Sequence, residues 1–185
     1  MSSEFRDDLL KADLEDLSLG TKIALYCIKK RRGIKKTRLH KVAFLIDRIF
    51  LCGKTELGED AEPYQFGMFM EDLAEELREM SEEGILYEKN RGYDLTDYGD
   101  ELVNLFSNEF SGMSKLIDAL QNIPDMEVVK MAYELFPEYT KKSKIKDKFP
   151  DFPNLNIYKL NVKDIDPHGK KITIGGETIT ISPSS

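Results

Sequence analysis

Histidine and cysteine, the residues that most often hold metals or act as nucleophiles, occur twice each in this chain: His40, His168, Cys27 and Cys52. Neither histidine has a cysteine or second histidine at ligand spacing, so the pattern gives no zinc site. "DIDPHG" sets Asp164, Asp166 and His168 at alternating positions, and a polar turn around Pro167 accounts for them without a metal. Cys27 and Cys52 lie inside apolar runs and read as small core residues of a chain kept in a reducing compartment. "IGGE" at 174–177 lacks the spacing and the lysine of a phosphate loop and reads as a hairpin turn. No serine or cysteine sits in a nucleophile motif, and the many carboxylates fit solvated helix faces. The expectation is a non-enzymatic protein with no catalytic residue, no metal and no cofactor.

The strongest chemical signal is electrostatic. "KKRRGIKKTRLHK", residues 29–41, holds eight Lys or Arg and no acid, in a chain of formal net charge −7. Part of that charge complements the carboxyl end of a preceding helix. The excess motivates contact with phosphate, which requires a local cluster more than a positive protein. The candidate nucleic-acid-binding residues are Arg31, Arg32, Lys35, Lys36, Arg38 and Lys41, joined by Lys89 and Arg91 at a hairpin tip. A second basic run carries Lys141, Lys142, Lys144, Lys146 and Lys148. Against this, residues 69–83 carry seven acids and a single base, Arg78. That stretch would be repelled by a duplex and suits a basic protein partner, with Glu71, Glu75, Glu76 and Glu79 as the contact residues.

These residues must be positioned by the elements around them. Residues 1–18 form an acidic segment with weak helical spacing, and "TKIALYCI" at 21–28 reads as a buried helix stopped by Gly33. From Thr37 to Leu51, Leu39, Val42, Ile46, Ile49 and Phe50 share one helical face, with Arg38, Lys41 and Arg48 pointing elsewhere. "CGKTELGEDAEPY" reads as a loop leading into a short extended piece, "PYQFG". A third helix spans 68–84, with Met70, Leu73, Leu77 and Met80 as its apolar stripe. Strands on either side of Asn90–Gly92 predict a hairpin anchored by Ile85 and Leu95. Thr96 can cap a fourth helix that buries Leu102, Val103, Phe106 and Phe110, interrupted at Ser111-Gly112. Two shorter helices follow, "MEVVKMAYELF" and the basic "TKKSKIKDKF". In "KITIGGETITI", Ile172 opposes Ile179 and Thr173 opposes Thr178 in a terminal hairpin. Its isoleucine face needs cover from the body or from a second subunit, so a homodimer is among the expected states. The N-terminus lacks a signal-peptide core and no run is long enough to span a membrane, so no membrane contact and a cytoplasmic location are expected.

The divisions expected are an acidic segment (1–18), a winged-helix domain (19–121), a helical extension (122–149) and an extended tail with a β-hairpin (150–185). The fold class is mostly α with a small β component: a helix-turn-helix with a β-hairpin wing.

"RLHKVAFLIDRIF", "EPYQFGMFMEDLAEELREMSEEGIL" and "YDLTDYGDEL" together resemble the YwgA-like and Panacea-related proteins. These pair a "L-x-K" helix with a "Y-x-F/Y-G" strand, an acidic amphipathic helix and a "L-T-x-x-G" exit from the wing. "YELFPEYTKKSKIKDK" is similar to the C-terminal part of archaeal members. The resemblance covers roughly residues 20–148 and implies an intracellular winged-helix protein, a regulator or an antitoxin- or adaptor-like component. The expected function is therefore a DNA-binding transcriptional regulator that meets double-stranded DNA through its basic turn and wing. The alternative is a protein-interaction module that uses the acidic third helix.

Overall fold

The computed structural model describes residues 3–51, 55, 57, 61–65, 67–144, 170–174 and 177–181. The central element is α2 (Leu19–Lys30), in which every residue from Ile23 to Ile28 is buried. Ser18 caps it by accepting from the Thr21 N–H, and Lys29 and Lys30 sit in its last turn, where cations oppose the exposed carbonyls. Gly33, at φ +67°, turns the chain into β1 (Ile34–Lys35), and α3 (Lys36–Ile46) begins at the next residue. Before them, α1 (Ser3–Asp16) runs along the outside.

A three-stranded antiparallel sheet locks this corner. The strands β4 (Leu86–Lys89) and β5 (Gly92–Leu95) pair through Leu86↔Leu95 and Lys89↔Gly92, and β1 joins the free edge of β5 through Ile34↔Tyr93. The hairpin turn uses Asn90 and Arg91, both at positive φ, as a two-residue turn matching strand twist requires. Ile85 and Leu95 are buried beneath it, as the sequence predicts. Gly92 is needed for a close approach, because a Cβ there would lie 2.5 Å from the Gly33 carbonyl oxygen.

The "LTDYG" exit has an equally physical basis. The Thr96 hydroxyl donates to the carbonyls of Gly84 and Ile85 and accepts from the Gly99 N–H, which caps α5 (Asp97–Phe106). A Cβ on Gly99 would fall 2.0 Å from the Ile85 carbonyl oxygen. A 3₁₀ segment (Ser107–Met113) interrupts the helical path from Ser107 onward. Then come α6 (Ser114–Asn122) and α7 (Asp125–Leu135), both packed into the one core that runs from Leu10 to Ala132.

Several expectations are corrected. Residues 61–70 form a hairpin, β2 (Ala61–Tyr64) with β3 (Gly67–Met70), so α4 (Glu71–Glu82) starts three residues later than its pattern suggests. Met68 and Met70 alternate inward as strand residues, a period of two that a short apolar run conceals. The α-helical geometry of α3 ends at Ile46, and Asp47–Leu51 continue as a π turn. Arg38 and Lys41 do not point away from the core; both are buried. The basic C-terminal run begins as a 3₁₀ turn (Pro137–Thr140) followed by a turn at Lys141 and Lys142, and residues 145–150 lie outside the described residues.

In the tail, β6 (Lys170–Ile174) and β7 (Glu177–Ile181) pair with Ile172↔Ile179 and Thr173↔Thr178, the expected register. Their side chains, with Cys52, Asp164, Asp166 and His168, lie outside the description. Among the described residues no helix is long and apolar enough to cross a membrane.

Candidate functional site

The basic stretch folds around acceptors supplied by distant parts of the chain. At its centre is the corner between α6 and α7, where the last carbonyls of α6 meet Asp125, the first residue of α7. Arg38, 3% exposed, donates to the carbonyls of Leu120 (2.6 Å), Gln121 (3.0 Å) and Ile123 (2.6 Å) and to the Asp125 carboxylate (2.7 Å). A planar guanidinium fork can serve several acceptors at once, which an ammonium cannot. Arg31 adds a bond to the Gln121 carbonyl and pairs with Asp125 at 3.6 Å, and Lys35 reaches Asp125 at 3.1 Å. Burial pushes the Asp125 carboxyl up, but Lys35 and Arg38 outweigh it and hold the group below its ordinary value. Burial in turn lowers the Arg38 guanidinium.

Four more cations of the stretch are also engaged. Arg32 bridges Asp94 of β5 and Asp100 of α5 and donates to the Leu95 carbonyl, tying the hairpin to the helix that follows it. Lys36 pairs with Glu88 of β4 and lies 5.1 Å from the Tyr93 ring centroid. Lys30 meets Asp118 and Ser114 of α6, and Lys29 meets Asn104 of α5. Lys41 is 1% exposed with no ion pair among the described residues, and burial pushes its ammonium down to about 8. His40 stacks on Phe69 at 4.7 Å, and burial, with the charges of Lys41 and Lys36, lowers it to about 4. It is a neutral core residue. Among the described residues no cluster of His, Cys, Asp or Glu has the makings of a metal site. Cys27 is buried and its thiol is pushed up to about 12, far from a nucleophilic thiolate.

The structure therefore brings Arg31, Lys35 and Arg38 together on Asp125 and places Arg32 and Lys36 on the hairpin. Lys41 lies apart in the core. Lys89 and Arg91 stand exposed at the hairpin tip without an ion pair among the described residues. Lys35 keeps 69% of its side chain in solvent despite its bond. The sequence reading missed Asp94, Asp100 and Asp125. Asp125 has a visible local role as an acid in the first turn of a helix, but nothing local ties it to Arg38.

The acidic side is arranged differently. Glu71, Glu75, Glu79, Glu82 and Glu83 are exposed along α4 and its cap. Arg78 is held by its neighbours Glu75 and Glu82 on the same helix. Glu76 alone turns inward, accepting from the Thr21 hydroxyl. Beside it opens a cavity of about 320 Å³ whose wall carries Asp13, Asp16, Glu76, Glu79 and Glu83. Asp13 and Asp16 extend the predicted acidic surface onto α1. A second cavity, about 700 Å³, lies between the start of α3, the Asn90–Arg91 turn and α7. No family model, curated protein or solved structure matches this chain.

Proposed function

We propose that this protein is a non-enzymatic winged-helix interaction module that receives a basic protein segment on the acidic face of α4. The element order α2–β1–α3–α4–β4–β5, with the β2–β3 hairpin inserted between α3 and α4, supports the winged-helix part, because the strand between the first two helices pairs beside the hairpin that follows the third. The observation that carries the partner reading is the charge on α4, the helix such a fold would present to a DNA groove. Glu71, Glu75, Glu79 and Glu82 face solvent there, and its single cation is already bonded to its own glutamates. Phosphate would be repelled by this surface; a lysine- and arginine-rich segment would be attracted and steered to it.

A DNA-binding transcriptional regulator is the second reading. Lys35, Lys89 and Arg91 favour it, since they stay exposed at one edge and could touch backbone phosphate with α4 turned away from the duplex. The two are separated by fluorescence anisotropy with a labelled Lys/Arg-rich peptide and a labelled random duplex, at about 50 and about 200 mM salt. The expected result is peptide binding that weakens in Glu71→Gln/Glu79→Gln/Glu83→Gln, with no duplex binding at the lower salt. Duplex binding that collapses at the higher salt, with no peptide binding, overturns the proposal in favour of the regulator.

A further inference from the structure

We propose that the free edge of β4 is a contact between two copies of this chain, which pair antiparallel there to make one continuous sheet. The strand order is β1–β5–β4, so β5 is flanked on both sides and β4 on one. The phase of the ladder follows from one bond, the Thr96 N–H donating to the Ile85 carbonyl at 3.1 Å. Backbone groups alternate along a strand, so Ile85, Tyr87 and Lys89 turn theirs to β5, while Leu86 and Glu88 turn theirs outward. Among the described residues no backbone group pairs with that edge. Tyr87, Glu88 and Lys89 are exposed along it, Tyr87 at 42%.

Charge decides both the occupant and the register. The hairpin tip is basic, with Lys89 and Arg91 exposed and without an ion pair among the described residues. The foot of the same strand is acidic, since Ile85, the residue before β4, shares a cavity wall with Glu79 and Glu83. An antiparallel second copy reverses this polarity and lays each basic tip on the other's acidic foot. Setting Leu86 of one copy opposite Glu88 of the other joins the outward groups in both directions, places Lys89 opposite Ile85 and brings Arg91 toward Glu83. The same register puts Tyr87 on the twofold axis, facing its own copy in the close position between hydrogen-bonded pairs, where aromatic cross-strand contacts stabilise a sheet. Sliding two residues toward the tip would face Glu88 with Glu88, and sliding two the other way would leave Leu86 alone paired. A uniformly basic segment, which suits α4, would be repelled here by Lys89 and Arg91.

The test is sedimentation velocity and amide hydrogen exchange on the full-length protein, from micromolar to millimolar concentration. The expected result is a concentration-dependent dimer whose formation slows exchange at the Leu86 and Glu88 amides, those of Tyr87 and Lys89 being slow already in the monomer. Glu83→Lys or Arg91→Asp should each raise the dimer dissociation constant about tenfold, because the twofold axis makes every change count twice. Asp tolerates the positive φ of the Arg91 position. Glu83→Lys/Arg91→Asp on one chain restores opposite charges in swapped order and should recover the dimer. Glu88→Pro removes an outward N–H, leaves the β5 ladder whole and should abolish the dimer, whereas Glu88→Gln should not. A monomer throughout the range overturns the proposal. A dimer without slowed exchange at Leu86 and Glu88, or one indifferent to the charge swaps, overturns it too and moves the contact to another surface.

Discussion

Residues 29–41 and helix α4 carry comparable densities of charge with opposite sign, and the fold treats them in opposite ways. In the basic stretch, Arg31, Arg32, Lys35, Lys36 and Arg38 all meet carboxylates from β4, β5, α5 or α7. On α4, the one arginine pairs within the helix, and Glu71, Glu79 and Glu83 have no ion pair among the described residues. A charge run announces function only to the extent that the tertiary structure leaves it unpaired. By that criterion the basic run is chiefly a clamp on the α6–α7 corner and the hairpin, and the acidic helix is the surface that the proposed function assigns to a partner.

The comparison breaks most sharply at Arg38. Arg38→Ala would leave the carbonyls of Leu120, Gln121 and Ile123 without that donor and remove a cation from Asp125. Removing one partner of a buried pair costs about 3–5 kcal/mol, so a urea midpoint far below wild type is expected. Arg38→Lys should recover little of it. Arg32→Ala, at a site 40% exposed, should cost only about 1 kcal/mol because solvent screens its pairs. Equal midpoints for the two alanine variants would mean that Arg38 clamps nothing.

Lys41 is the exception inside the basic stretch and gives an intermediate effect. Its folded-state ammonium lies lowered to about 8, below the ordinary lysine value of 10.5. The unfolded chain therefore binds more protons between those values, and stability should climb as pH rises through that window. Below it, the buried charge is a standing cost. Lys41→Met should stabilise the protein at pH 7 by on the order of 2 kcal/mol and flatten the rise. Urea melts from pH 7 to 10 check both points; a destabilised Lys41→Met with an unchanged pH slope contradicts them.

Sequence reading succeeded where the cause of a structure is local. The Gly33 stop, the Asn90–Arg91 turn, the Thr96 cap and the Ile172↔Ile179 register each follow from a few neighbouring residues. It failed where the cause is remote. Arg38 and Lys41 fall off the apolar helical face by period and so read as pointing away from it, yet the acceptors that hold Arg38 in the core lie 82 to 87 positions away. Met70 lies three residues before Leu73 and so fits the helical stripe as well as a strand end, and only pairing with Ala61–Tyr64 decides for the strand. The candidate site was legible as charge and illegible as geometry, because composition records how many cations exist and not which carboxylates they meet.

The smallest expected change in stability is also the most informative about function. Glu71→Gln/Glu79→Gln/Glu83→Gln alters three exposed side chains on α4 and its cap. Neutralising Glu71 removes a favourable charge near the start of the helix, worth a few tenths of a kcal/mol, and neutralising Glu83 removes an unfavourable one at its end. The two oppose each other, and Glu79 adds slight relief of self-repulsion, so the net change should stay within about 0.5 kcal/mol. Binding should respond far more. Affinity for the Lys/Arg-rich peptide should fall and its salt dependence flatten, since fewer charges are brought together across the interface. Non-specific affinity for a duplex should rise as repulsion is relieved. A loss of stability above about 1 kcal/mol would show that these acids serve the fold as Asp125 does. The two charged regions would then be alike, and α4 would no longer be a surface held in reserve for a partner.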